Sequence, residues 1–142
     1  MKKEKISVIV TLYNRLEYAR NMILSLLHQT LMIDELVFAD DGSKDDVADV
    51  IKDLVDRCPF EIKVVYQEDI GFRLARSRNN GARVATGDFL IFLDQDVIMP
   101  NDFIEKIYKN RKKKRIISSR GILSYEEQKN YIQEEINKEY DF

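Results

Sequence analysis

Two acidic residues in this sequence are spaced in a way that suits metal chemistry. Asp94 and Asp96 are one residue apart and follow Phe89–Leu93, the most apolar run of the chain. Two carboxylates this close repel each other unless a cation or hydrogen-bond donors share them. Their hard oxygen atoms suit Mg²⁺ or Mn²⁺, ions that commonly also contact substrate phosphates. Asp is common in ordinary turns as well, but a position at the end of a buried strand favours a metal site.

A second acidic pair, Asp40 and Asp41, follows another apolar run and precedes Ser43. Ser43 as a helix N-cap would explain the turn without needing two aspartates. The pair also suits a hydrogen-bond acceptor for a nucleotide base or ribose. Three arginines near the third predicted helix carry the planar, always charged group that suits phosphate or base recognition: Arg73, Arg76 and Arg78. For Arg76 we favour a solvated helix face instead.

Short apolar runs predict the strands that position these residues, and the segments between the runs carry apolar residues at helical spacing. This alternation is typical of an α/β domain with a mostly parallel sheet. The carboxyl ends of parallel strands share one edge, where ligands bind at the point at which the strand order reverses. We therefore predict strand order 3-2-1-4, with helices on both faces and the polar clusters at one edge. The predicted strands are Ile6–Val10, Leu36–Ala39, Ile62–Tyr66 and Phe89–Leu93, with a weaker fifth at Ile116–Ser119.

Capping residues predict where the helices begin and end. A capping box of Asn14 and Glu17 is predicted to begin the first helix, and Ser43 is the predicted N-cap of the second. The third helix is predicted over Leu74–Ala85, with Gly87 at C′. Pro100 and Asn101 are predicted to open the fourth, and a capping box of Ser124 and Glu127 a last helix rich in Glu.

Composition narrows the class of protein. The chain has 142 residues, 44% of them hydrophobic, and a formal net charge of -2. These values suit one folded domain and disfavour both disorder and nucleic-acid binding through bulk positive charge. Cys58 is the only cysteine, and no apolar stretch approaches the roughly 20 residues of a membrane span, so we expect a cytoplasmic setting. We predict an α/β domain over residues 1–120 and a polar helix over 121–142 that packs against another region or chain.

With these motifs in hand, the sequence resembles a family 2 glycosyltransferase of the GT-A type, a Rossmann-like fold. The short motif Gly71–Leu74 resembles the branch of polysaccharide polymerases that includes chondroitin-type synthases. The other matching stretches appear in the order and phase of the family: Ile6–Asn14, Glu35–Ser43, Arg78–Ala82 and Gly87–Asp96.

The resemblance implies an inverting, metal-dependent hexosyltransferase that moves a sugar from a UDP-sugar to a saccharide acceptor. It implies Mn²⁺ or Mg²⁺ as cofactor. The roles it implies are Thr11 and Tyr13 lining the base pocket, Asp41 accepting from uracil with Asp40 beside it, Arg73 near the base or diphosphate, Arg78 in the donor site, Asp94 near the ribose and the metal-bound waters, and Asp96 as direct metal ligand.

The sequence departs from the family pattern in its second half. The catalytic base of the family is an Asp or Glu well beyond the D-x-D motif, whereas this sequence ends at Phe142. We therefore expect the base outside this chain and expect inefficient sugar transfer by the chain alone. A non-catalytic nucleotide-sugar-binding module, or a donor-binding half that needs a partner, stays open as an alternative. Nucleotidyl transfer and a receiver domain fit less well, because their strand-end motifs are absent.

Partner and location follow from smaller features. The last predicted helix has a sparse apolar set, which favours self-association or packing against another region. The basic run Arg111–Arg115 is a candidate contact with anionic lipid at the inner face of a membrane, although cations at a helix end are the simpler explanation. No nucleic-acid partner is expected.

Overall fold

The computed structural model describes residues 3–112, in which strands and helices alternate along the chain. Within these residues, no helix is both long enough and apolar enough to span a bilayer. The elements are β1 (Ile6–Leu12), α1 (Glu17–Leu27), β2 (Glu35–Asp40), α2 (Val47–Val55), β3 (Glu61–Tyr66), α3 (Leu74–Val84), β4 (Phe89–Asp94) and α4 (Phe103–Lys109).

The four strands form one parallel sheet with the order β3-β2-β1-β4, which confirms the predicted topology. β1 is central and is buried along its whole length. Its partners are in register, so that Leu12 lies opposite Asp40 on β2 and Thr11 lies opposite Asp94 on β4. The carboxyl ends of three strands are therefore level with one another at one edge of the sheet.

The two faces of the sheet are covered differently. Residues such as Val8 and Phe38 point to the larger core, which contains buried residues of α1, α2 and α4. The opposite face, with Ile9 and Ala39, is covered by α3. Gly81 on α3 makes this approach close, because a Cβ there would lie 2.6 Å from Cγ2 of Ile9. The position of α3 therefore depends on a residue without a side chain.

β4 is less buried than its sequence predicted. Ile91 and Leu93 are buried in the larger core, but Phe92 on the other face is 46% exposed. Among the described residues β4 pairs only with β1, and α3 lies against β1, β2 and β3. The strand that carries Asp94 is therefore covered fully on one face only.

The predicted caps of the first two helices are wrong. Asn14 and Glu17 do not form a capping box, because α1 starts after Leu16 without a side-chain cap and Asn14 adopts a positive φ of 50°. Asp46, not Ser43, caps α2 and accepts from the backbone N–H of Ala48. Asn14 and Ser43 instead contact each other, since the N–H of Asn14 donates to Oγ of Ser43. This hydrogen bond connects the loop after β1 to the loop after β2 at the edge of the sheet.

Two other predicted helix boundaries also differ. α3 ends at Val84 with an extended cap, and Gly87 lies beyond it, where a Cβ would be 2.3 Å from Oγ of Ser7. Gly87 thus permits a close approach to β1 rather than a C′ turn. α4 begins at Phe103, after a turn in which the N–H of Phe103 donates to the carbonyl of Pro100. The predicted strand Ile116–Ser119 and the polar helix at 121–142 lie outside the described residues.

A buried ionic cluster lies at the opposite edge of the sheet, where β2 begins. Both oxygens of Glu35 accept hydrogen bonds, which come from Oγ of Ser7, Nζ of Lys63, and the N–H and hydroxyl of Thr86. Burial alone would raise the pKa of Glu35, but these donors together lower it to about 2, from an ordinary value of 4.5. The ionised carboxylate therefore connects β1, β2, β3 and the loop that precedes β4.

This cluster predicts an acid-sensitive stability. We expect Glu35→Gln to lower the free energy of unfolding at pH 7 by about 2–3 kcal/mol, because the buried pair loses its charge. The folded pKa lies below the unfolded one, so the contribution of Glu35 is complete above pH 4.5 and is lost as the pH falls towards 2. The difference between wild type and variant should shrink over that range in urea denaturation.

Glu61→Gln is the matched control, because Glu61 is exposed and its carboxylate lies 3.9 Å from the same Lys63 Nζ. An exposed pair of this kind contributes little. Equal losses for the two variants at pH 7 would contradict the assigned role of Glu35.

Candidate functional site

A cavity of about 430 Å³ lies at the edge where β1, β2 and β4 end. Loop residues that follow β3 form its remaining wall. Its volume falls in the range of small-molecule sites. The lining residues are Thr11, Tyr13, Asp41, Asp69, Gly71, Phe72, Leu74, Arg78, Asp94, Gln95 and Asp96.

Most residues singled out from the sequence line this cavity. Asp40 and Arg73 do not. Asp40 is buried and accepts hydrogen bonds from both the N–H and the hydroxyl of Ser43, which closes the turn after β2. The guanidinium of Arg73 donates to the carbonyl of Glu68, and its Nε is buried without a hydrogen-bond partner among residues 3–112. The predicted residues that line the cavity are Thr11, Tyr13, Asp41, Arg78, Asp94 and Asp96.

Asp41 provides a buried carboxylate at one end of the cavity. Its Oδ1 accepts from Nε2 of Gln67, and its Oδ2 accepts from the backbone N–H of Arg73 at 3.0 Å. The residue is only 2% exposed. A carboxylate has about four acceptor positions, so two internal hydrogen bonds leave capacity for a ligand donor.

The loop over residues 67–73 closes this end of the cavity. The hydroxyl of Tyr13 donates to Oδ2 of Asp69 at 3.0 Å. That hydrogen bond and the negative charge of Asp69 raise the pKa of Tyr13, so its hydroxyl stays a donor. Gly42, with a φ of +97°, lies against the backbone of Asp69, and a Cβ on Gly42 would be 2.5 Å from the nitrogen of Asp69. Tyr13 therefore holds the loop by a hydrogen bond, and Gly42 allows the loop to approach closely.

The other end of the cavity carries the D-x-D pair. Asp94 accepts from Nη2 of Arg78 on α3 at 2.5 Å. Asp96 is exposed to the cavity, and its carboxylate has no hydrogen-bond or ion-pair partner within residues 3–112. The side chain of Gln95, between them, accepts from the backbone N–H of Tyr13 at 2.9 Å. The turn after β4 is thereby joined to the end of β1.

The donor set at this end fits a divalent cation held jointly with a ligand. No cluster of three or more potential ligand residues occurs among residues 3–112. Mg²⁺ and similar ions are nevertheless commonly held by one or two carboxylates together with substrate phosphates and water. Asp96 offers an unpaired carboxylate, whereas Asp94 is partly neutralised by Arg78. Asp96 is therefore better able than Asp94 to ligate a cation directly, and its role as a metal ligand stays a prediction.

Three residues of the site were not predicted from the sequence. The site includes Gln67, Asp69 and Phe72. Gln67 and Asp69 follow β3 directly, so the argument that was applied to the other strand ends also covers them. Phe72, which is 87% exposed beside the cavity, belongs to a motif that was noted only as a family feature.

A family model and two curated relatives indicate the same class of protein. The family model described as glycosyl transferase family 2 matches residues 7–140. A validoxylamine A glucosyltransferase from Streptomyces hygroscopicus is 38% identical over 104 residues, which cover 72% of this chain and 24% of that protein. A cholesterol galactosyltransferase from Borreliella burgdorferi is 32% identical over 110 residues, covering 78% of this chain and 30% of that protein. The chain thus spans about a quarter to a third of the length of these curated relatives.

Solved structures show the same fold. S. aureus TarS residues 1–349 match with a TM-score of 0.61 and 23% identity, covering 74% of this chain and 31% of that one. The same TarS fragment has been solved in complex with UDP, and that structure matches with a TM-score of 0.60.

The contact between Gly42 and Asp69 predicts different costs for alanine at two glycines with positive φ. At Gly71, φ is +77° and a Cβ would meet nothing within 4 Å, so we expect Gly71→Ala to cost only the backbone strain, about 1–2 kcal/mol. Gly42→Ala adds a collision with backbone atoms of Asp69, so we expect a larger loss of unfolding free energy.

Hydrogen exchange distinguishes displacement of the loop from simple strain. We expect faster exchange of the Arg73 amide, which donates to Asp41, in Gly42→Ala but not in Gly71→Ala. Matching stability losses and matching exchange rates in the two variants would contradict the packing described above.

Proposed function

Because this chain belongs to glycosyl transferase family 2, we propose that its cavity binds a UDP-sugar and that the sugar is transferred to a saccharide acceptor. One observation carries this proposal. A single cavity has a buried acceptor, Asp41, at one end and a pair of carboxylates suited to a cation, Asp94 and Asp96, at the other. A nucleoside diphosphate has the matching chemistry, with a hydrogen-bonding base at one end and phosphates at the other.

The base would bind at the Asp41 end. The N3–H of uracil is a donor that a carboxylate accepts, and Thr11 and Tyr13 line the adjacent wall. The backbone N–H of Arg73 binds Asp41, but its guanidinium donates to the carbonyl of Glu68 outside the cavity lining. The role of Arg73 near the base or diphosphate therefore stays a prediction, and it requires that the side chain move when the donor binds. Asp40, which closes a turn, would act only by holding Asp41 in position.

The diphosphate would bind towards Asp94, Asp96 and Arg78. Arg78 can shift from Asp94 to a phosphate, since both are anions that accept from a guanidinium. When bound, Mn²⁺ or Mg²⁺ would neutralise charge on the departing diphosphate. Asp96 would hold the ion, and Asp94 would hold the ribose and water.

Transfer with inversion requires a base that activates the acceptor hydroxyl. We assign no such base among residues 3–112. The finer expectations also remain proposals: the polysaccharide-polymerase branch indicated by Gly71–Leu74, a saccharide acceptor, self-association, and a cytoplasmic position near a membrane. Sugar turnover by the longest natural version of the chain would separate the transferase from the alternative, a non-catalytic donor-binding module.

The proposal predicts metal-dependent binding of UDP. We expect UDP to bind more tightly with Mn²⁺ than with EDTA in isothermal titration calorimetry. Asp96→Asn should lower the affinity with Mn²⁺ to the EDTA level, roughly a tenfold loss or more, because a charged ligand contact is removed.

Asp49→Asn is the control, since Asp49 is exposed on α2, outside the cavity, and undergoes the same change of charge. Equal UDP affinity with EDTA and with Mn²⁺ in the wild-type chain would refute the metal-assisted donor site.

A further inference from the structure

A network of side-chain hydrogen bonds ends on Asp41 and contains residues to which the proposed function gives no role. Gln67, only 9% exposed, donates through Nε2 to Oδ1 of Asp41. Its Oε1 accepts from Nδ2 of Asn80 at 3.1 Å, and Oδ1 of Asn80 accepts from Nη1 of Arg83 at 3.0 Å. Four side chains are thus connected from the surface of α3 to the wall of the cavity.

The residues at the two ends of this network determine which group donates and which accepts in every hydrogen bond between them. An ionised carboxylate only accepts hydrogen bonds and a guanidinium only donates them. Gln67 must therefore present its NH₂ group to Asp41, which leaves its oxygen for a donor. Asn80 must supply that donor, and its own oxygen then faces Arg83. The orientation of both amides follows from this network.

The side chain of Gln67 is one of several groups that anchor the loop that carries it, because its Nε2 also donates to the carbonyl of Arg73 at 3.3 Å. The backbone N–H of Gln67 donates to the carbonyl of Asp40 at 3.0 Å. The hydroxyl of Tyr13 binds Asp69, and the guanidinium of Arg73 binds the carbonyl of Glu68. These three bonds remain when the Gln67 amide is lost, whereas no other side chain donates to Oδ1 of Asp41 among the described residues. The effect of the amide that they do not replace is therefore on the direction of the Asp41 carboxylate.

We propose that Gln67 and Asn80 are positioning residues that orient Asp41 towards the N3–H of uracil and thereby make the site prefer uracil to cytosine. Gln67 occupies one carboxylate oxygen and the N–H of Arg73 occupies the other, which fixes the plane of the group. Uracil carries a donor at N3, whereas cytosine has an acceptor there that would face the same oxygen lone pairs. This inference rests on the proposed function.

The first test replaces Gln67 with a side chain of similar shape that cannot donate. Affinities for UDP and CDP are measured by calorimetry with Mn²⁺ present. In Gln67→Met we expect the UDP affinity to fall about tenfold, as for one lost hydrogen bond to a charged group, with the CDP affinity unchanged. The phosphate and metal contacts are common to both ligands, so CDP binding also reports that the site is folded.

The second test reverses the direction of the network. Asn80→Asp removes the NH₂ group that binds Gln67, so the Gln67 amide would turn its NH₂ group away from Asp41. We expect the same selective loss of UDP affinity. Asn79→Asp is the matched control, because Asn79 is exposed on the same helix and undergoes the same charge change. It should leave the ratio of UDP to CDP affinity unchanged.

The outcomes separate the inference from the proposed function. If the wild-type chain binds neither nucleotide, both fail. If it binds UDP and CDP equally, the uracil preference does not exist and the inference is overturned. If it prefers UDP and both variants keep that preference, or lose both ligands in parallel while retaining a native circular-dichroism spectrum, the inference is wrong and the donor site stands. If Gln67→Met does not fold, the ratio of UDP to CDP affinity in Asn80→Asp, compared with that in Asn79→Asp, decides whether the inference holds.

Discussion

The register of the parallel sheet is the constraint on which the rest of the structure depends. β1 pairs with β2 on one side and with β4 on the other, and its last residues lie level with Asp40 and Asp94. A shift by one residue would turn Val8 and Val10 from the larger core to the face that α3 covers, and would turn Ile9 into the larger core. Burial of β1 therefore fixes the register, and the register brings residues far apart in sequence to one cavity.

The two edges of the sheet use carboxylates in opposite ways. At the edge where β2 begins, hydrogen bonds to both oxygens of Glu35 satisfy a buried charge and connect three strands. At the cavity edge, Asp41 has one internal donor on each oxygen and Asp96 has none among the described residues. The first edge is a structural cluster, whereas the second retains acceptor capacity for a ligand.

The sequence was sufficient for the topology and for most of the cavity wall. Strand positions came from β-branched apolar runs, and the aspartates after them came together because parallel strands end at one edge. Local signals failed where tertiary contacts compete with them. Asn14 and Ser43 have the chemistry of helix caps, but each forms hydrogen bonds between loops instead. Gly87 has the residue type of a helix end, yet its small size serves a contact with Ser7.

The missed site residues show a different limit. Gln67 is a polar residue after a strand, and nothing in its neighbours along the chain indicates that Asp41 and Asn80 lie on either side of its amide. Likewise, the exposure of Phe92 depends on which elements cover β4, a property that an apolar run alone does not contain. Contacts between distant segments had to be seen in three dimensions.

The central claim is that one cavity holds the base of a nucleotide at Asp41 and a divalent cation at Asp96. The most direct measurement is an anomalous difference map from crystals grown with UDP and Mn²⁺. The account predicts one manganese peak at coordination distance from Asp96 and the diphosphate, with N3 of uracil beside the Asp41 carboxylate. A manganese peak away from Asp96, or a nucleotide bound in the reverse direction, would contradict it.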